Sequence, residues 1–283
     1  LKLLDQPDIL SFAGGIPDPR LFLAERVQAA YDDVLKQAGA QALQYSVSEG
    51  LPELRRWIAA RMTADGVPCD EGHIVITAGS QQALDLIGKL FLTRGDTVLA
   101  ERPTYLGALG AFNAYEPTYG DLEAGVPAGA RLAYLVPDFA NPSGRTMTRQ
   151  EREAVLDRAA AHDLVLVEDA AYRELRFSGT SEPSLLALDV ARSGSIENAR
   201  TLYCGTLSKT LSPALRLGWV CAARPVIDKL VLLKQGCDLH VSTINQMVAA
   251  KVVAEDYDAH LERLRVHYRE RASAMQAALA RHM

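Results

Sequence analysis

Lys209 lies in GTLSKTLSPALRLGW (205–219), among small hydroxyl residues and between two apolar runs. A lysine desolvated inside a domain loses basicity and becomes a usable nucleophile toward an aldehyde. Leu207, Leu211, Leu215 and Leu217 around it argue against a solvated surface loop. In the same stretch Thr206, Ser208 and Arg216 offer two hydroxyls and a guanidinium fork to a phosphate. Asp169, in VEDAAY (167–172), ends an otherwise apolar run, and a carboxylate buried there without a partner is costly. A cationic pyridinium nitrogen would be a good partner and would keep Asp169 ionised. Tyr172, three residues on, would direct its hydroxyl to the same place. On this segment alone, a solvent-exposed strand end or a turn cap explains Asp169 as well.

Two further segments have the right chemistry but are individually common. PDFANPSG (137–144) is turn chemistry, in which Asn141 would be held rigidly with its amide aimed at a ligand oxygen. In TAGSQQ (77–82) Gly79 lets the backbone turn, and a helix opens with Ser80 and Gln81. Free backbone N–H groups and the positive end of a helix dipole suit a phosphate there, although an ordinary N-cap serine reads the same way.

The elements that must position these residues alternate along the chain. HIVITAG (73–79), DTVLAE (96–101), RLAYLVP (131–137), LVLVEDA (164–170), RTLYCGT (200–206) and LRLGWVCAA (215–223) read as strands. Between them run a helical stripe of Ala83, Leu84, Leu86 and Ile87, a helical stretch near 104–115, and a helix opened by the capping-box pair Thr148 and Glu151. Pro52 and Gly66 bracket an earlier helix. After residue 224 the chain turns helical, and 258–283 read as one long charged helix. The pattern predicts an α/β fold with a mainly parallel central sheet and helices on both faces. In such sheets ligands sit at the carboxyl ends of the strands.

Bulk properties set bounds. The 283 residues carry a formal net charge of −5, which argues against nucleic acid or an anionic membrane as partner. No apolar run approaches the roughly 20 residues of a membrane span, and the first residues do not read as a secretion signal. Cys69, Cys204, Cys221 and Cys237 form no C-x-x-C pair, and the six histidines lack ligand spacing, so the reading is reduced thiols, no metal site and a cytoplasmic location.

In this order the four segments resemble the fold-type I, pyridoxal-phosphate (PLP)-dependent aminotransferases of class I/II, closest to the 2-aminoadipate/kynurenine aminotransferase subgroup. SFAGGIPDPRLF (11–22), LQYSVSEGLPELR (43–55) and RPTYLGAL (102–109) extend the likeness over nearly the whole chain. The resemblance implies that Lys209 carries PLP as a Schiff base and shuttles the proton between Cα and C4′. Asp169 would pair with the pyridine nitrogen, and Asn141 and Tyr172 with the ring's 3′ oxygen. Ser80, Gln81, Thr206, Ser208 and Arg216 would bind the phosphate, and Tyr105 would stack on the ring. Tyr45 would reach a neighbouring subunit's phosphate, implying a homodimer with shared active sites. Gly14, Gly15 and Ile16 would line the substrate pocket, with Tyr45 and Asn141 also near the substrate.

The reaction implied moves an amino group between an L-amino acid and a 2-oxo acid. A PLP lyase or decarboxylase would use the same cofactor residues. The aminotransferase-like effector domain of a transcription regulator is a third reading, to be told apart by the upstream sequence. The expected division is an N-terminal arm and small-domain part (1–40), a PLP-binding large domain (41–255), and a helix (256–283) leading toward a small C-terminal domain. That domain would carry the arginine for the substrate α-carboxylate, and it is expected to lie outside this sequence. The stretch 118–129, TYGDLEAGVPAG, reads as a contracted connection.

Overall fold

The computed structural model describes residues 15–283, so Gly14 lies outside the described residues. The apolar runs become strands of one sheet: β1 (Ile74–Thr77), β2 (Thr97–Ala100), β3 (Thr118–Asp121), β4 (Ala130–Leu135), β5 (Val165–Asp169), β6 (Thr201–Thr206) and β7 (Gly218–Cys221). Their order is β1-β7-β6-β5-β4-β2-β3. The run from β6 to β3 is parallel, and β7 is antiparallel to both of its neighbours. Side chains alternate across the sheet, so Ile74 and Ile76 enter one apolar core while Val75 enters another.

Helices cover both faces. On the side of Ile74 and Ile76 lie α1 (Ala24–Ala42), α2 (Pro52–Ala64) and α8 (Thr243–His282). On the side of Val75 lie α3 (Ser80–Phe91), α4 (Leu106–Phe112) and α7 (Arg224–Gln235). Two more helices, α5 (Arg149–His162) and α6 (Leu185–Ser193), close a third core around Leu135 and Leu166. The Thr148–Glu151 capping box opens α5, each side chain accepting from the other's backbone N–H. Pro52 occupies the first turn of α2. No helix among the described residues is long and apolar enough to cross a membrane.

One expectation is corrected. The stretch 118–129 is not all connection, because its first four residues form β3. That strand pairs with β2 alone and is only partly buried, so it lacks the apolar alternation that reveals inner strands. Its attachment is partly polar, with Thr97 and Thr118 hydroxyls 2.8 Å apart. In the N-terminal region, α1 packs against α8. Ala30, Val34 and Ala42 bury one side of α1, and the Tyr31 hydroxyl donates to Asn245 Oδ1 of α8 over 2.7 Å. The long helix α8 has a non-helical residue at Asp256, at the predicted start of the final segment.

Candidate active site

The lysine turn follows directly from β6. Leu207 N–H donates to Leu217 O (3.0 Å), and the N–H groups of Leu211 and Ser212 donate back to Leu207 O. The Tyr257 hydroxyl of α8 lies 2.7 Å from the Thr210 hydroxyl, pinning the turn from below. Lys209 Nζ donates to Gly15 O over 2.9 Å and sits 5.7 Å from the centre of the Tyr172 ring. Burial lowers the pKa of its amine, Asp169 opposes that shift, and the charge of Arg216 adds to it. The amine is therefore more readily deprotonated than an exposed lysine's.

Asp169 ends β5 and is buried at 4% exposure. Its carboxylate accepts from the Tyr134 hydroxyl (2.8 Å) and from Ala171 N–H (3.3 Å). Burial raises its pKa, and these two hydrogen bonds pull it part of the way back. Tyr134 is a site residue that the sequence reading missed. It pairs in register with Val167 on β5, and period-2 alternation puts Asp169 on the same face one step on. A hydroxyl inside an otherwise apolar strand was the available signal. Burial, and then Asp169, push the Tyr134 pKa well up, so it remains a donor. Tyr134→Phe should lower kcat about tenfold, the scale of one hydrogen bond to a charged group, with the fold retained. Steady-state rates and thermal melts check this; an unchanged kcat would remove Tyr134 from the site.

The anion-binding end is built by close backbone approach. Gly79, at φ 80°, precedes α3, and a Cβ there would lie 2.4 Å from Arg216 Nη2. A Cβ on Gly218 would lie 2.6 Å from the Gly79 carbonyl carbon. Arg216 adopts φ 53° and is held by hydrogen bonds to Ala78 O (2.9 Å) and Pro213 O (3.3 Å). These contacts bring the guanidinium to the opening turn of α3, where no side chain caps Ser80 and Gln81. The Gln81 side chain instead donates to Gly107 O (2.7 Å), leaving its backbone N–H to face an anion. Thr206 and Ser208 hydroxyls are 2.9 Å apart at the same strand end. Tyr105, which precedes α4, has its pKa raised by burial and by Asp169 and lowered by Arg216, so it lies in the field of both.

Asn141 lies near Tyr172: burial raises the Tyr172 pKa, Asp169 adds to this, and Asn141 opposes it. Gly15, Ile16, Phe139, Tyr172, Lys209 and Arg271 line a cavity of about 450 Å³. Tyr45 is not in that cavity. It is 78% exposed, edge-on to His240 with ring centres 5.8 Å apart.

These residues fit PLP. Asp169 is a buried carboxylate with no cation within 4 Å among the described residues, which suits a pyridinium. Arg216 beside the uncapped turn of α3 suits a phosphate, and the Lys209 amine suits an aldehyde. Asp169 and Lys209 lie at the carboxyl ends of β5 and β6, and Arg216, just before the antiparallel β7, lies at the same edge of the sheet. The mixed sheet and this set define the large domain of a PLP-dependent transferase of fold type I.

The chain belongs to the aminotransferase class I and II family, whose profile it matches over residues 10–118 and 134–282. The unmatched interval, 119–133, takes in most of β3 and the first part of β4. The chain is 42% identical to the 2-aminoadipate transaminase of Thermus thermophilus, over 99% of this chain and 72% of that protein. Among solved structures it is similar to the α-aminoadipate aminotransferase LysN of the same organism, complexed with N-(5′-phosphopyridoxyl)-L-leucine. That likeness has a TM-score of 0.88 at 40% identity, covering 96% of this chain and 71% of that one. The kynurenine aminotransferase of Pyrococcus horikoshii, in complex with PMP, gives a TM-score of 0.91 at 36% identity, over 100% and 73%. The chemistry of the chain is PLP-dependent transamination, and the lyase and regulator readings are not favoured.

Proposed function

We propose that Lys209 both anchors the cofactor covalently as a Schiff base and acts as the base that takes the proton from the substrate's Cα. The observation that carries this is the desolvated Lys209 amine, held at Gly15 O and facing Tyr172 beside the charge of Asp169. PLP, when bound, supplies the electron sink that stabilises the carbanion at Cα. Asp169 keeps the ring nitrogen protonated, with Tyr134 holding the carboxylate in place. Asn141 and Tyr172 hold the ring's 3′ oxygen. The N–H groups of Ser80 and Gln81, the hydroxyls of Thr206 and Ser208, and Arg216 take the phosphate. Tyr105 would stack on the ring face. The exposure of Tyr45 suits a role across a subunit boundary, in a cytoplasmic homodimer with shared active sites.

The substrates are an L-amino acid and a 2-oxo acid. Ile16, Pro17, Phe139, Leu175 and Phe177 give the cavity beside Lys209 a largely apolar wall with Arg271 on it. A long side chain, as in the 2-aminoadipate or kynurenine of the similar enzymes' names, fills such a space better than a methyl group. A panel of aromatic, branched, acidic and small amino donors with 2-oxoglutarate or pyruvate tests this. At least a tenfold preference in kcat/KM for long donors over alanine is expected, since each methylene in an apolar pocket discriminates by about 10-fold or more. Equal values for alanine and leucine would take the cavity out of substrate binding.

A further inference from the structure

Asp138 has no part in the site described above, yet it is the centre of a buried ion cluster. Its carboxylate is 2% exposed and accepts from three guanidinium groups. Arg152 Nη2 (2.9 Å) and Arg176 Nη2 (2.7 Å) donate to Oδ1, and Arg173 Nη1 (2.9 Å) donates to Oδ2. Burial opposes its ionisation, but Arg152 and Arg173 outweigh that and hold the carboxyl below the usual carboxylate range. The surrounding charges come from separate elements. Asp65 at the end of α2 pairs with Arg173, and buried Glu168 on β5 accepts from the N–H groups of Leu185 and Leu186.

The position of Asp138 in the chain gives the cluster its meaning. Asn141 follows three residues later in the same loop, and Tyr172 immediately precedes Arg173. Arg152, fully buried in α5, also donates to Pro137 O and Met147 O, so it ties down both ends of the Asn141 loop. The Arg176 guanidinium lies 4.5 Å above the Phe139 ring, and Phe139 is held at φ 58°. Asp138 thus stands three residues from Asn141, and Arg173 directly follows Tyr172.

We propose that Asp138 is a positioning residue: with Arg173 and Arg176 it locks the loop 137–144 to the turn after β5, and so fixes Asn141 and Tyr172 against each other at the cofactor's ring oxygen. This rests on the reading of Asn141 and Tyr172 as the residues that meet that oxygen. Donors fixed on an oxyanion favour its deprotonated form, so loosening them raises the pH at which the oxygen loses its proton.

The test is a pH titration of the visible absorbance of the holoenzyme, together with its PLP dissociation constant. In Asp138→Asn the midpoint should rise by about one pH unit, a tenfold change in the proton equilibrium, and PLP should bind about tenfold more weakly. Tyr172→Phe should move the midpoint the same way. The double variant should move it no further than the larger single change, because linked residues are not additive. A lowered melting temperature with an unmoved midpoint, or fully additive shifts, overturns the proposal. If Asp138→Asn does not fold, Arg176→Gln decides, since it leaves Arg152 and Arg173 on Asp138; a smaller shift in the same direction supports the clamp and no shift overturns it. Silence in both Tyr172→Phe and Asn141→Ala would instead mark the site reading as wrong, and the clamp with it. Shifts in those two but in neither clamp variant overturn the clamp alone.

Discussion

Lys209→Ala will leave no borohydride-reducible link to PLP and will cut transamination by about 10⁴-fold or more, the upper range for loss of a positioned general base. The expectation follows from where the amine is kept. The turn 207–212 is closed by its own backbone hydrogen bonds and pinned by Tyr257 at Thr210. Lys209 extends to Gly15 O, past the Tyr172 ring. Burial lowers its pKa from the ordinary 10.5, and Asp169 works against that shift. The sign for activity is then fixed. Rate depends on the free amine and falls as pH drops through the lysine's lowered pKa. Reduction with borohydride followed by peptide mass mapping locates the link. A reducible link that survives in Lys209→Ala, or one that maps to another lysine, would falsify the assignment.

The legible parts of this site are those where a side chain contradicts its surroundings. Asp169 closes a strand of buried residues, Lys209 sits among leucines, and Gly79 interrupts a strand-to-helix passage, so each stands out against apolar or regular sequence. The structure puts all three at carboxyl ends of one sheet, where such a topology places ligands. What sequence could not supply was pairing between elements. Tyr134 reads as one more buried aromatic until β4 and β5 are set in register and its hydroxyl lands on Asp169. The strand β3 escaped because an edge strand of one exposed and three part-buried residues need not alternate. Asp138 and its arginines read as ordinary loop and helix charges, since residues 138, 152, 173 and 176 meet only after α5 and β5 have packed. Tyr45 is the opposite case: the sequence marks it, and within this chain it faces solvent.

Asp169→Asn is expected to separate stability from function. The substitution keeps the shape and leaves an oxygen to accept from Tyr134, so the change is one of charge. In the chain without cofactor, burial raises the Asp169 pKa above its ordinary 3.8. A carboxyl raised in the folded state binds protons there that the unfolded chain has already released. Stability therefore falls as pH rises from the ordinary carboxylate value through the raised one, and at neutral pH the ionised, buried Asp169 is a cost to the fold. Asparagine removes it, and the apoprotein should melt on the order of 2–4 °C higher for each kcal/mol recovered, with the gain fading in acid. Turnover should move the other way, falling about 10²–10³-fold, the scale of losing one preorganised charge contact at a reacting centre. Saturating PLP should raise the melting temperature of the native chain more than that of Asp169→Asn, because only the native carboxylate gains a cation on loading. Melting curves of both chains, with and without PLP and from pH 4 to 8, carry the decision. An apoprotein destabilised by the substitution, or an equal PLP increment in both chains, would mean that Asp169 is a structural acid and that the ring nitrogen finds its counter-charge elsewhere. The opposite pattern makes the buried charge a stability sacrifice held for chemistry, which is why a carboxylate persists where packing alone favours a neutral group.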